Sequence, residues 1–262
     1  MRIPLKAWLL CVLTLTGLVA TPSPAAAATT RLFAVVNDSN GLRRGIVAMD
    51  PDGSNARLIV DAREHGWTEL GPLDVADDGS MLAFAASGNR HGHVYLVDPN
   101  GMNLRRLQTD GEAGEPSFSP NGERLVFTRV TDERRGTDLY RIRIDGTHLR
   151  RLTEPGEHHG SRPSWSPDSN AFIFDIYDGA RSDLWTMRDD GSDMRRITST
   201  PDVAEDFPVY SPNGTMIAFR VDGYPHPRSD IVTMNADGSS RHRISTPNRL
   251  EIFLAWGRSF VR

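Results

Sequence analysis

The residues of this chain best suited to chemistry are carboxylates and histidines in the polar segments that precede short apolar strands. Glu69 and Glu205 each stand three residues before a proline, and Glu251 holds the corresponding place near the C-terminus. Glu112 and Glu157 lie close to the same position in two further segments. Side chains at one position of a repeated structure converge, and converging carboxylates either take up protons or hold a cation.

The pattern therefore predicts a cation site, occupied either by a Ca²⁺ ion or by a basic peptide segment of a partner. The alternative is that arginines such as Arg162 and Arg249 neutralise the carboxylates internally. Two adjacent histidines and one aspartate lie next to these glutamates and are added to them. The candidate partner-binding residues are Glu69, Glu112, Glu157, His158, His159, Glu205, Asp206 and Glu251.

No sequence motif assigns a catalytic residue or a resident cofactor. The chain lacks the nucleophile motif G-x-S-x-G, the metalloprotease motif H-E-x-x-H, the Walker loop and the dinucleotide motif G-x-G-x-x-G. His158-His159 has no cysteine or histidine partner at the spacing of a structural zinc site, so exposed loop histidines are the simpler interpretation.

The elements that must position these residues come from an internal repeat. Pro163–Thr198 predicts four short strands, because runs of β-branched and aromatic residues alternate with Asp/Asn-Gly turn signals. The glycine of the second turn recurs with spacings of 48, 45, 45 and 47 residues, at Gly53, Gly101, Gly146, Gly191 and Gly238. A four-stranded unit with a period near 45 residues is typical of a β-propeller blade.

The predicted fold is all-β, a five-bladed propeller of four-stranded blades. The N-terminal repeat, Thr30–Val60, lacks a first strand, and Glu251–Gly257 has the pattern of one, so we expect the C-terminal strand to close the N-terminal blade. Six blades is the alternative.

Phe118 and Trp165 recur at one position and predict packing between blades. Aspartates at the start of third strands, such as Asp138, predict structural hydrogen bonds. Paired arginines in fourth strands predict charged protection of sheet edges.

The recurring P-x-W-S-P-D/N-G…D-L/I-x-x-M/I…D-G…R-L/I-T pattern resembles the PD40 (WD40-like) repeats of TolB-type propellers, over about residues 30–258. In one repeat Ser169 replaces the turn glycine. The resemblance implies a non-enzymatic protein–protein role at the cell envelope. Similar repeats also accompany lyases and hydrolases, so the alternative is an extracellular enzyme acting on glycans or peptides through a channel metal site.

Residues 1–28 predict a secretory signal peptide, with Arg2 and Lys6 before a short apolar run and a small-residue end. Residues 29–262 then form the propeller, periplasmic or secreted. Cleavage removes the only lysine and the only cysteine, Cys11, and changes the net charge from −4 to −6. Lysine and cysteine chemistry are therefore excluded, nucleic acid is an unsuitable partner, and we expect a monomer that is not inserted in a membrane.

Overall fold

The computed structural model describes residues 12–13, 31–37, 44–88, 92–131, 136–154, 160–223 and 226–244. Over this part the chain forms five four-stranded sheets, which we number as blades 1 to 5. Every pairing is antiparallel, and the strands of each sheet follow chain order. The five-bladed, all-β prediction is thus confirmed.

The strands have the following bounds. Blade 1 contains β1 (Val12–Leu13), β2 (Leu32–Asn37), β3 (Arg44–Met49) and β4 (Arg57–Asp61). Blade 2 contains β5 (Glu69–Val75), β6 (Leu82–Ser87), β7 (Gly92–Val97) and β8 (Arg105–Arg106). Blade 3 contains β9 (Ala113–Phe118), β10 (Arg124–Thr131), β11 (Gly136–Arg143) and β12 (Arg150–Arg151). Blade 4 contains β13 (Gly160–Trp165), β14 (Ala171–Tyr177), β15 (Ser182–Arg188) and β16 (Arg195–Arg196). Blade 5 contains β17 (Val203–Tyr210), β18 (Met216–Gly223), β19 (His226–Asn235) and β20 (His242–Arg243).

Blades 1 and 2 are joined by a single turn of 3-10 helix, Ala62–His65. Among the described residues no helix has the length and apolar character needed to cross a bilayer.

The first strand of blade 1 differs from the expectation. Val12–Leu13, inside the predicted leader, pairs with β2 through Val35 and Ala34. The strand predicted to close this blade, Glu251–Gly257, lies outside the described residues, so its role stays a prediction.

The turns have the chemistry that the sequence indicates. All five repeated glycines have φ between 81° and 90°, in the left-handed region that glycine adopts without steric cost. In the first turn of blade 4, Ser169 adopts φ 60° where the other repeats have glycine. Hydrogen bonds from Ser166 and Asn170 to the Asp168 carboxylate stabilise that turn.

The core lies between blades, and one position of the second strands contributes a phenylalanine to each of its four clusters. Phe84, Phe127, Phe174 and Phe219 are all completely buried. They belong to four successive apolar clusters, each shared by two neighbouring blades. Burial of one such side chain stabilises the fold by about 1.5–3 kcal/mol. Each blade is therefore stabilised by its neighbours.

Neighbouring first strands are also joined by hydrogen bonds. Asp74 Oδ2 accepts from the Phe118 backbone N at 2.7 Å, which links blades 2 and 3. Trp165 Nε1 donates to Ser117 O at 3.1 Å, which links blades 3 and 4. Phe118 and Trp165 are 6% and 5% exposed. Their predicted role in packing between blades is confirmed.

The outer strands of blades 3, 4 and 5 each use one arginine for an internal ion pair. Arg151 contacts the buried Asp138 at 2.5 Å, and Thr153 donates to the same carboxylate. Arg196 pairs with Asp183 in the same way in blade 4. The predicted structural role of the third-strand aspartates is confirmed. The first arginine of a pair, such as Arg150, is exposed, and its role in edge protection stays a prediction.

Candidate functional site

One pair of facing residues recurs in the first and second strands of blades 2 to 5, and we call it the channel position. Because facing residues of an antiparallel pair project to the same side, each pair presents two side chains to one surface. The four pairs are Gly71/Ala85, Gly114/Thr128, Ser161/Asp175 and Asp206/Arg220. The side chains at the channel position therefore change from small and neutral in blade 2 to large and charged in blade 5.

In blades 4 and 5 these side chains form a compact polar cluster. Arg162 Nη1 lies 2.7 Å from Asp175 Oδ2 and 3.6 Å from Asp206 Oδ2. Arg220 donates twice to Asp206, at 2.7 and 2.6 Å. The Phe207 ring lies 4.3 Å from the Arg162 guanidinium and 4.6 Å from that of Arg220. This cluster, here called the charged plug, occupies the channel position on one side of the propeller.

The charged plug reaches the neighbouring blade through Glu115. Glu115 Oε2 accepts from the Arg162 backbone N at 2.9 Å. Glu115 and Arg162 both have φ near 50°, at the bulge of their first strands, where a side chain can be redirected toward the next blade. Burial raises the pKa of Asp175 to about 7, although the Arg162 guanidinium acts in the opposite direction.

A cavity of about 890 Å³ lies where the channel position carries small residues. It spans blades 2 and 3 and extends to the edge of blade 4. The lining residues are Thr68, Glu69, Leu70, Gly71, Ala85, Ala86, Ser87, Gly88, Gly92, Glu112, Ala113, Gly114, Glu115, Thr128, Val130, Thr137 and Ser161. The described lining carries three carboxylates and no lysine, arginine or histidine, so this part of the lining is acidic.

Two of the predicted site residues meet at this cavity. Glu69 pairs with Ser87 at the last rung of β5 and β6. Glu112 occupies the equivalent rung of blade 3, where its carbonyl accepts from the Val130 backbone N. Both line the cavity. Glu69 and Glu112 are therefore structural equivalents in adjacent blades, although Glu69 stands three residues before Pro72 and Glu112 four residues before Pro116.

The structure places Glu205 elsewhere. Relative to the strand pairing, Pro72 stands one residue earlier in blade 2 than Pro208 does in blade 5. Counting back from the two prolines therefore slips by one residue, and a slip of one residue moves a strand side chain to the other face. Glu205 is 1% exposed and bound by Arg241 at 2.8 Å and by Thr200.

The remaining predicted residues have different positions. Asp206 lies 5% exposed in the charged plug, where Arg220 holds it. Glu157, His158, His159 and Glu251 lie outside the described residues. Within the described part of the chain, no three potential metal-ligating side chains come together. The possible Ca²⁺ site thus stays a prediction.

The sequence did not single out Glu115 as a candidate site residue, nor the small residues at the channel position. The signal available for Glu115 was its place directly before Pro116, the first-strand proline of the third repeat. Gly71 and Ala85 gave no local signal, because their meaning depends on which residues face each other across two strands.

Comparison with known proteins is consistent with this architecture. The putative TolB from Agrobacterium tumefaciens superimposes with a TM-score of 0.68 at 23% identity, covering 81% of this chain and 76% of that one. TolB from Acinetobacter baumannii gives 0.68 at 17% identity, with 81% and 52% coverage, so this chain spans about half its length. An oligogalacturonate lyase from Vibrio parahaemolyticus gives 0.61 at 15% identity, with 81% and 61% coverage. At these identities the likeness shows a common fold.

The family model described as PD40, TolB beta propeller domain, matches residues 23–204 and, in a second overlapping match, 74–260. Together the two matches cover most of the chain, including all the strands given above except β1. The chain belongs to the PD40 family of TolB-type β-propellers.

Proposed function

We propose that this protein is an exported, non-enzymatic binding module that recognises an envelope or secreted protein through the face onto which the cavity opens. The observation that carries the proposal is that Glu69 and Glu112 occupy equivalent rungs of adjacent blades and both line the cavity. A propeller is a rigid frame, and variable segments on rigid frames commonly carry binding residues.

The chemistry of this face favours a partner with a basic segment. Glu69, Glu112 and Glu115 give the described cavity lining three negative charges and no positive one. Complementary charge accelerates the encounter of two proteins and disfavours acidic competitors. The same carboxylates would repel a nucleic acid backbone.

The test is capture of partners from an envelope extract by two charge-reversed variants. Glu69→Arg/Glu112→Arg changes the proposed face. Asp78→Arg/Glu123→Arg makes the same charge change in the same two blades at exposed turns between first and second strands. We expect the first variant to lose partners that wild type and the second variant both retain. Equal capture by all three proteins would contradict the proposal.

Export is tested separately by N-terminal sequencing of protein recovered outside the cytoplasm. The proposed leader predicts a mature chain that begins near Ala28 or Thr29. A recovered protein that still carries Met1 would show that the leader is not removed.

The alternative, an enzyme with a channel metal site, predicts a stoichiometric metal in the purified protein and cleavage of a glycan or peptide substrate. Metal analysis combined with assays on oligogalacturonate and on proline-containing peptides distinguishes the two functions. Metal-dependent turnover would replace the binding-module proposal.

A further inference from the structure

Two buried aspartates of the charged plug share one arginine. Arg162 Nη1 lies 2.7 Å from Asp175 Oδ2 in its own blade and 3.6 Å from Asp206 Oδ2 in blade 5. Asp175 is 1% exposed and Asp206 is 5% exposed, so water screens neither carboxylate well. Two carboxylates that share one cation in a buried site repel each other, and this repulsion favours a proton on one of them.

The hydrogen bonds indicate which of the two carboxyl groups takes the proton. Asp206 receives two hydrogen bonds from the Arg220 guanidinium, at 2.7 and 2.6 Å, one on each oxygen. Asp175 receives Arg162 on Oδ2, and its Oδ1 has no hydrogen-bond partner among the described residues. A buried charged oxygen without a donor is costly, and protonation removes the charge. Asp175 is therefore the carboxyl group that gains more from a proton.

Charged side chains from blades 3, 4 and 5 surround Asp175. The charged groups that the structure describes around it are Glu115 on β9, Arg162 on β13, Asp206 on β17, and Arg220 and Asp222 on β18. With Asp175, four carboxylates thus share two guanidiniums, and one proton lowers the excess of negative charge from two to one. Burial raises the pKa of Asp175 to about 7 against the opposing effect of Arg162, and the carboxylates of Asp206 and Glu115 add to the rise.

A proton on Asp175 changes the partner of Arg162. A neutral carboxyl group attracts the guanidinium weakly, and Asp206 is then the nearest described carboxylate that stays ionised. Arg162 also contacts both neighbouring blades. Its backbone N donates to Glu115 of blade 3 at 2.9 Å, and its guanidinium lies 4.3 Å from the Phe207 ring of blade 5. Movement of Arg162 therefore alters contacts on both sides of blade 4.

We propose that Asp175 is a proton switch of this propeller: when it is protonated, the Arg162 guanidinium passes from Asp175 to Asp206, and ambient pH is thereby coupled to the contacts of blade 4 with blades 3 and 5. The proton comes from water, and no other covalent bond forms or breaks. The inference goes beyond the proposed function, because the switch requires neither export nor a partner protein.

The test is an NMR titration of the purified full chain from about pH 5 to about pH 9, with isotope labels in the aspartate carboxyl groups and the arginine nitrogens. We expect the carboxyl resonance that is missing from Asp175→Asn to report a pKa of about 7. The guanidinium and backbone amide of Arg162 and the ring of Phe207 should shift with the same midpoint. In Asp175→Asn, which resembles the neutral acid, these three groups should not respond to pH in this range.

Two variants distinguish a switch from a buried acid that titrates alone. Asp206→Asn removes both the repulsion on Asp175 and the alternative partner of Arg162, so it should move the midpoint of the Asp175 titration to lower pH by about one pH unit or more. The control Asp138→Asn replaces another buried aspartate, which Arg151 holds in blade 3, and should leave that midpoint unchanged. Thermal unfolding shows whether each variant is folded.

Three results would overturn the inference. The first is a wild-type Asp175 that does not titrate in this range. The second is an Asp175 that titrates while Arg162 and Phe207 do not respond. The third is an unchanged midpoint in folded Asp206→Asn. The wild-type titration decides the first two points even if a variant does not fold.

Discussion

Alanine at Gly101 should destabilise the propeller much more than alanine at Gly146, although the two glycines hold the same place in their turns. Their φ angles are +87° and +88°. A Cβ on Gly101 would lie 2.2 Å from the carbonyl oxygen of Ile59 in the outer strand of blade 1. A Cβ on Gly146 would meet no described atom within 4 Å. The pair therefore separates backbone strain from contact between blades.

The magnitudes follow from these two effects. The left-handed backbone costs about 1–2 kcal/mol for alanine at either site. At Gly101 the turn must also move away from β4, and overpacking of this kind costs about 1–3 kcal/mol more. We therefore expect Gly146→Ala to lose about 1–2 kcal/mol of unfolding free energy and Gly101→Ala about 2–5 kcal/mol. In a domain of this size each kcal/mol lowers Tm by about 2–4 °C.

Urea unfolding and thermal melts of both variants provide the measurement, with Gly53→Ala as a second control. Gly53 has φ +81°, and a Cβ added there would likewise meet no described atom within 4 Å, so it should behave like Gly146. Equal losses at Gly101 and Gly146 would refute the reasoning, because they would mean that the turn of blade 2 does not rest on blade 1.

Three further outcomes are expected. Arg151→Met should cost about 3 kcal/mol because it leaves the buried Asp138 without its ion-pair partner, whereas the exposed neighbour Arg150→Met should cost less than about 0.5 kcal/mol. Similar values for both would contradict the ion-pair assignment. Burial raises the pKa of Asp74 from 3.8 to about 6, so the folded state holds this proton more tightly than the unfolded chain does, and the resulting stability is present below about pH 4 and lost as pH rises through 6. The unfolding free energy should therefore decrease between pH 4 and pH 7, and Asp74→Asn should remove about 3 kcal/mol of that decrease, as measured by urea unfolding. An unchanged pH profile would exclude this carboxyl as the cause. Deleting residues 250–262 should lower Tm of the whole domain if they supply the predicted closing strand, and an unchanged Tm would show that blade 1 is completed in another way.

The candidate site was predictable only in part. Glu69 and Glu112 were identified because acidic residues recur before the first strands, and the structure brings both to one cavity. Glu205 was placed on the same ring by counting from a proline, but the actual pairing buries it against Arg241. A proline marks the start of a strand without fixing its register, and register decides which face a side chain occupies.

The sequence by itself determined the repeat, the strand order within each blade and the turn chemistry. These depend on local rules: alternation of apolar residues, β-branched composition, and glycine or a small polar residue wherever φ must be positive. The buried aromatic positions followed as well, because a side chain repeated at one position of every blade meets the same kind of neighbour each time.

Only the tertiary structure decided that the channel position is filled on one side and open on the other. Gly71 and Ala85 lie in consecutive strands and become a facing pair only through strand register, as do Asp206 and Arg220. Whether such pairs leave a cavity depends on side chains from several blades that share one space. Because the space is formed only when neighbouring blades pack together, it cannot be predicted from any single repeat of the sequence.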